Sequence, residues 1–197
     1  MGMRKPAEDR CLGMIEIDSV PRGIQSTDAL IKEASVDVLL ARPITPARYL
    51  CVFEGEVEAV LRSLARARDV AGSRRLDELF LPAPHATLLA GLAGKRPARD
   101  IDALGVLETT RVASCLRALD GALKMDEVEL VELRLAMGLG GHAFFALAGE
   151  ISAVEVAMEQ AQMLAGEAHR DLAIVPAPDA ETIRLLLGSS SPFNDLP

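Results

Sequence analysis

The chain has 197 residues, half of them apolar, with 29 acidic residues against 21 basic ones for a formal net charge of −8, and only five Phe, one Tyr and no Trp. Without a basic footprint or aromatic stacking platforms it does not read as a nucleic-acid binder, and runs such as residues 143–148 fall far short of the ~20 apolar residues of a membrane span. Cys11, Cys51 and Cys115 are isolated, odd in number and without a CxxC, so reduced thiols are expected in place of a disulfide framework.

Residues 1–10 form an arm without the apolar segment of a secretory signal, and Pro6 stands where a myristoylation signal has Ser or Thr, so a cytoplasmic chain is expected. Residues 12–17 are a short apolar run ending at a carboxylate, Glu16, which predicts a strand. Val20, Gly23, Ile24, Thr27 and Ile31 then recur at helical spacing. Residues 36–44 and 49–53 predict two strands joined by the turn Thr45-Pro46-Ala47. A helix after Gly55 would bury Val57, Val60, Leu61 and Leu64, a last strand ends at Pro82, and a short helix trails it. Residues 95–102, with Pro97 and several charges, read as a linker.

From residue 103 the pattern starts again. Leu12-Gly13 and Glu16 return as Leu104-Gly105 and Glu108 at an offset of 92, as do Asp28 at Asp120, Lys32 at Lys124 and Arg42 at Arg134. Beyond the hairpin the offset is 94: Gly55-Glu56 returns as Gly149-Glu150, Ala71-Gly72 as Ala165-Gly166, and Pro82-Ala83-Pro84 as Pro176-Ala177-Pro178. Of 74 paired positions 19 are identical, too many for unrelated segments, so the chain carries two copies of one fold. The second copy predicts strands at 104–109, 128–136 and 143–147. Its first helix has a fuller stripe, Val112, Cys115, Leu116, Leu119 and Leu123. Its second opens with Ser152 and Glu155 in capping-box spacing and buries Val154, Met158 and Ala161. The two extra residues fall in the hairpin, at Met137-Gly138-Leu139-Gly140-Gly141. The order β-α-β-β-α-β predicts an α+β fold, two ferredoxin-like split β-α-β domains over residues 11–94 and 103–187, with a tail over 188–197. Each copy is too small to cover both faces of its sheet, so association is expected.

At these residues the sequence resembles tandem-domain bacterial microcompartment shell proteins. Residues 103–109 resemble the opening strand of such domains, Ala122-Leu123-Lys124 the helix end with their edge lysine, and Val128-Glu129-Leu130-Val131 the strand running to the pore loop. Within the family the chain is most similar to the tandem shell proteins of propanediol-utilisation compartments, through residues 137–141 and 29–40. The resemblance implies a homotrimer whose six domains form a pseudohexagonal tile, packed edge to edge with other shell proteins, with a central opening for small polar metabolites. It implies pore-lining roles for Ile44, Thr45, Pro46 and Ala47 from one copy and Met137, Gly138, Leu139, Gly140 and Gly141 from the other, and tile-edge roles for Lys32 and Lys124. In the propanediol relative a cysteine in the first pore loop implies an iron–sulfur cluster on the threefold axis. Here that position is Thr45, whose hydroxyl is a poor replacement for a soft thiolate, so no cofactor is expected.

Plainer readings stand beside these. Lys32 and Lys124 suit helix C-termini by charge alone. The glycines at 138, 140 and 141 suit a hairpin turn, and a phosphate cradle is disfavoured because a strand follows them. His85, His142 and His169 are isolated, and no HExxH or Cys/His cluster exists, so no metal is expected. Cys51 and Cys115 read as packing residues, Glu16 and Glu108 as structural carboxylates, and the helix with Arg62, Arg66 and Arg68 as a solvated or lumen-facing surface. Two rival functions are a regulatory module clasping a small ligand and an electron-transfer tile. Catalysis has the least support, since no nucleophile and base can be paired from the motifs.

Overall fold

A computed structural model describes residues 10–94, 101–125 and 127–187. Residues 1–9 of the expected arm, most of the linker and the tail lie outside the described residues, and Arg10, read as the end of the arm, belongs to the first strand. The chain divides into two compact units, 1–84 and 85–197.

In the first unit β1 (Arg10–Ile17), α1 (Val20–Glu33), β2 (Val36–Ile44), β3 (Arg48–Glu56), α2 (Val57–Ala71) and β4 (Arg75–Pro82) follow the expected order. The four strands pair antiparallel in the order β2-β3-β1-β4, the split β-α-β arrangement. Side chains alternate along β1. Cys11, Ile15 and Ile17 join Leu30, Tyr49, Cys51, Phe53, Val60, Leu64, Ala67 and Ala71 in the core under the helices. Leu12 and Met14, pointing the other way, are fully buried as well. Each such side chain contributes roughly 1.5–3 kcal/mol by leaving water.

The stripe expected on α1 is displaced. Gly23, Ser26, Thr27 and Leu30 are its buried residues, whereas Ile24 and Ile31 are exposed. Small residues take the core face because Tyr49 lies against it: a Cβ on Gly23 would come within 2.2 Å of the Tyr49 ring. On α2 the expectation is half corrected. Val60 and Leu64 are buried with Ser63, Ala67 and Ala71, but Val57 and Leu61 face solvent.

The second unit repeats the plan with α3 (Ala86–Leu92), β5 (Ala103–Thr109), α4 (Val112–Leu123), β6 (Val128–Leu135), β7 (Ala143–Gly149), α5 (Ile151–Ala165), β8 (His169–Pro176) and α6 (Ala180–Leu187). Its sheet order is β6-β7-β5-β8. The whole stripe read on α4 is buried, as are Val154, Met158 and Ala161 on α5. The capping box is a correction: α5 starts two residues earlier than a Ser152 cap requires, Glu150 is its N-cap with no side-chain hydrogen bond, and Ser152 lies inside the helix. On the sheet face opposite Gly105, which meets Val154 and Met158 of α5, Leu104, Val131, Ala146 and Ala148 form a smaller apolar cluster, with Leu186 of α6 packed against it.

The repeat extends to the backbone. Gly72 and Gly166, both at φ +56°, end α2 and α5. Ala83 and Ala177 adopt φ +45° and +43°, and their N–H groups donate to the carbonyls of Arg10 and Asp102 at 3.0 and 2.8 Å. The boundary between units falls at 84/85, earlier than the linker read from sequence, because α3 packs on α4 and β6.

Candidate functional site

The two hairpins differ as the offsets require. Strand β2 ends at Ile44 and β3 begins at Arg48, a three-residue turn with a cis Thr45–Pro46 bond and Ala47 at φ +50°. Thr45, Pro46 and Ala47 are exposed, while Ile44 is 4% exposed and turned into its unit. The second hairpin runs from Leu135 to Ala143, with Ala136, Gly138, Gly140 and Gly141 all at positive φ. Glycine permits that path, and the non-glycine Ala136 bears left-handed strain. Ala136 N–H donates to the His142 carbonyl at 2.9 Å and His142 N–H to that of Leu139 at 3.1 Å, which closes the loop on itself. Gly138 and Gly140 are exposed, Met137 and Leu139 half-buried and Gly141 buried.

Each hairpin is tied at its base to the carboxylate read as structural in the opening strand. In the first unit Arg48, directly after the turn, donates to Glu16 at 2.8 Å. At the equivalent place in the second, His142 Nδ1 lies 3.1 Å from Glu108 Oε1, and Arg170 Nε donates to Glu108 Oε2 at 3.1 Å. The partners of both carboxylates thus include the side chain at the base of the loop, Arg48 or His142, a link that spacing alone did not reveal.

Lys32 and Lys124 each reach back one turn to an aspartate of the same helix, Asp28 at 2.7 Å and Asp120 at 2.6 Å. Both lysine side chains remain solvent-accessible. Of the arginines on α2, Arg62 donates to the Glu33 carbonyl at 2.8 Å, and Arg68 grips Glu78 in a two-pronged bond at 2.9 and 2.7 Å. That bond, with Arg75 assisting, holds the Glu78 carboxyl below the usual carboxylate range.

The three cysteines are free and buried, Cys11 among the core side chains of the first unit. Burial pushes the Cys11 thiol up, Cys51 to about 11 and Cys115 to about 12, the reverse of what a nucleophile or metal ligand requires. The donor set at Thr45 does not fit an iron–sulfur cluster: the loop offers hydroxyl and backbone oxygen, and no cysteine lies in it. His85 caps α3, its Nδ1 accepting from the Thr87 N–H at 3.3 Å. A cavity of about 390 Å³ in the second unit, at the start of α4, is lined by Thr110, Arg111, Ser114, Arg117 and residues 164–168 and includes none of the loop residues. Among the described residues no helix is long and apolar enough to cross a membrane.

With two split β-α-β units, a three-residue and a longer glycine-rich hairpin, and lysines at matched helix ends, the comparison with known proteins is decisive. The BMC domain profile matches residues 11–84 and again 103–178. The chain belongs to the bacterial microcompartment domain family. It carries the domain twice. The shell protein PduT of Citrobacter freundii is 35% identical over 158 residues, covering 80% of this chain and 86% of the relative. A microcompartment protein from Desulfitobacterium hafniense superposes with a TM-score of 0.84 at 36% identity, over 89% of this chain and 98% of that one. A fused, permuted hexameric shell protein of the RMM microcompartment shares the fold at a TM-score of 0.59 and 20% identity, over 79% and 84% of the two chains.

Proposed function

We propose that this tandem-domain microcompartment shell protein forms a homotrimer whose six domains make a pseudohexagonal tile, that tiles pack edge to edge with other shell proteins of a cytoplasmic compartment, and that the hairpins ring a central opening for small polar metabolites. The observation that carries this reading is where the two copies diverge. They keep the same strand order, the same bulge and register, and the same bounds for α2 and α5, yet differ in length at one hairpin. Duplication then gives threefold symmetry with two independent loop types, so one opening can be tuned at two sets of positions. Thr45, exposed beside Pro46 and Ala47, supplies hydroxyls that both donate and accept to a solute shedding part of its water shell. Met137, Gly138, Leu139, Gly140 and Gly141 supply the second loop type. Ile44 supports its turn from within the unit.

At the tile edge, Lys32 and Lys124 have two further ammonium donors each beyond the aspartate bond, available to backbone carbonyls of the next tile. The proposal includes no resident cofactor and no catalysis. Substituting Thr45→Trp tests the opening: metabolite flux across assembled shells falls while the trimer persists. Unchanged flux removes Thr45 from the pore.

A further inference from the structure

The two units differ in one surface where the repeat predicts sameness. On α4, Leu116 and Leu123 are 0% and 1% exposed and the Asp120 side chain 5%; at the matching positions of α1, Ile24 is 56% exposed, Ile31 49% and the Asp28 side chain 60%. The α4 stripe has α3 packed beside it within the second unit. The α3 segment brings the His85 backbone N–H to Asp120 Oδ1 at 2.7 Å, while Asp120 Oδ2 holds Lys124. Gly91 sits so close to β6 that a Cβ on it would lie 2.3 Å from a Leu130 methyl and 3.9 Å from one of Leu133.

Every part of that contact has a repeat counterpart on the bare face. Asp28 Oδ2 holds Lys32 as Asp120 Oδ2 holds Lys124, and Asp28 Oδ1 has no partner among the described residues. The counterpart of α3 is α6. His85 and Asp179 both cap their helix by accepting from the N–H two residues on. The volumes are also exchanged: where α3 has Gly91 against Leu130 and Leu133, the repeat has Leu185 on α6 and the smaller Val38 and Ala41 on β2. Bulk removed from one element reappears on the other, as a packed interface requires.

We infer that the exposed face of α1 and β2 is the docking surface for residues 179–187 of a second copy of this chain. The Asp179 backbone N–H takes Asp28 Oδ1, and residue 185 lies over Val38 and Ala41. This deepens the trimer reading and rests on it: each chain supplies one such contact internally, at α4, and a ring of three chains supplies the others in turn. Two exposed isoleucines flanking an aspartate, otherwise a liability on a soluble surface, become the seam between subunits.

The test uses the full chain. In Ile24→Glu/Ile31→Glu the substituted residues stay solvated in an isolated chain, so the monomer folds, but in the interface two carboxylates lose water without a partner. Native mass spectrometry is expected to show the trimer population lowered at least about tenfold at a concentration where the unsubstituted chain is trimeric. In a second variant, Val38→Cys with Leu185→Cys, oxidation is expected to give covalently linked dimers and trimers on a non-reducing gel, and neither single substitution does so. A trimeric parent whose glutamate variant stays trimeric and whose cysteine pair fails to cross-link overturns this contact and leaves the trimer standing. A parent that is monomeric throughout overturns both.

Discussion

Gly23 and Tyr49 form a volume-matched pair whose counterparts in the second unit are Cys115 and Ala143, all but Gly23 being side chains buried in their unit's interior. A methyl added at Gly23 would lie 2.2 to 2.4 Å from Tyr49 Cγ, Cβ and Cδ1. Those atoms are the root of the ring, so relief requires moving β3 where it emerges from the Thr45–Ala47 turn. Glycine to alanine inside a helix is worth roughly 0.5–1 kcal/mol in favour of alanine, whereas overpacking a filled site costs typically 1–3 kcal/mol. The steric effect wins, and Gly23→Ala is expected to destabilise by about 1–2 kcal/mol. Tyr49→Ala alone leaves a cavity and costs about 3 kcal/mol, in the range of large aromatic truncations. The double variant Gly23→Cys/Tyr49→Ala transplants the pair used by the other copy. It is expected to be more stable than the sum of its single changes by about 1–3 kcal/mol, since each relieves the other's defect. Urea unfolding of the parent, Gly23→Cys, Tyr49→Ala and the double variant measures the cycle. Strictly additive effects would refute the reasoning that the two positions share one volume.

The Arg68–Glu78 bond makes stability depend on pH. Glu78 has its carboxyl lowered in the folded protein, so its contribution is fully present above the ordinary glutamate range and is lost as pH falls through the depressed value. Because both partners are partly solvated, Glu78→Gln is expected to cost only about 0.5–1 kcal/mol at pH 7 and nothing once the pH is below that value; a cost that persists at low pH contradicts the ion-pair account. Cys51 and Cys115, protonated and enclosed, are expected to resist iodoacetamide at pH 8 until denaturant is added, and rapid alkylation of the native chain would contradict their burial. Lys32→Ala and Lys124→Ala are each expected to weaken sheet or shell assembly more than trimer stability. Intact assembly in both removes the edge role.

Strand and helix order was readable because the repeat reports each element twice, with Leu104 to Thr109 and the α4 stripe supplying the clearer copy. The sequence read least well at α1 and at the start of α2. Apolar residues at helical spacing announce burial without saying against what, so Ile24, Ile31, Val57 and Leu61 read as core although the core face is built from Gly23, Ser26, Thr27, Val60 and Leu64. Glycine and serine face the core there because Tyr49 and the close approach of α1 and α2 leave no room, and that constraint comes from residues distant in sequence. Ser152 illustrates a related limit. Capping-box spacing was present, but Glu150, directly after β7, takes the extended N-cap conformation and starts the helix earlier. At the hairpins the two-residue difference located the loops to within a residue. What it left out was the anchoring of each loop base by Arg48 on Glu16 and by His142 on Glu108, contacts 32 and 34 residues apart along the chain.

Electron microscopy of the purified full-length chain at high concentration tests the central claim most directly. The account predicts flat, hexagonally packed sheets whose repeating tile contains three chains and six domains around a central opening. Monomers or dimers that form no lattice at any concentration would contradict it.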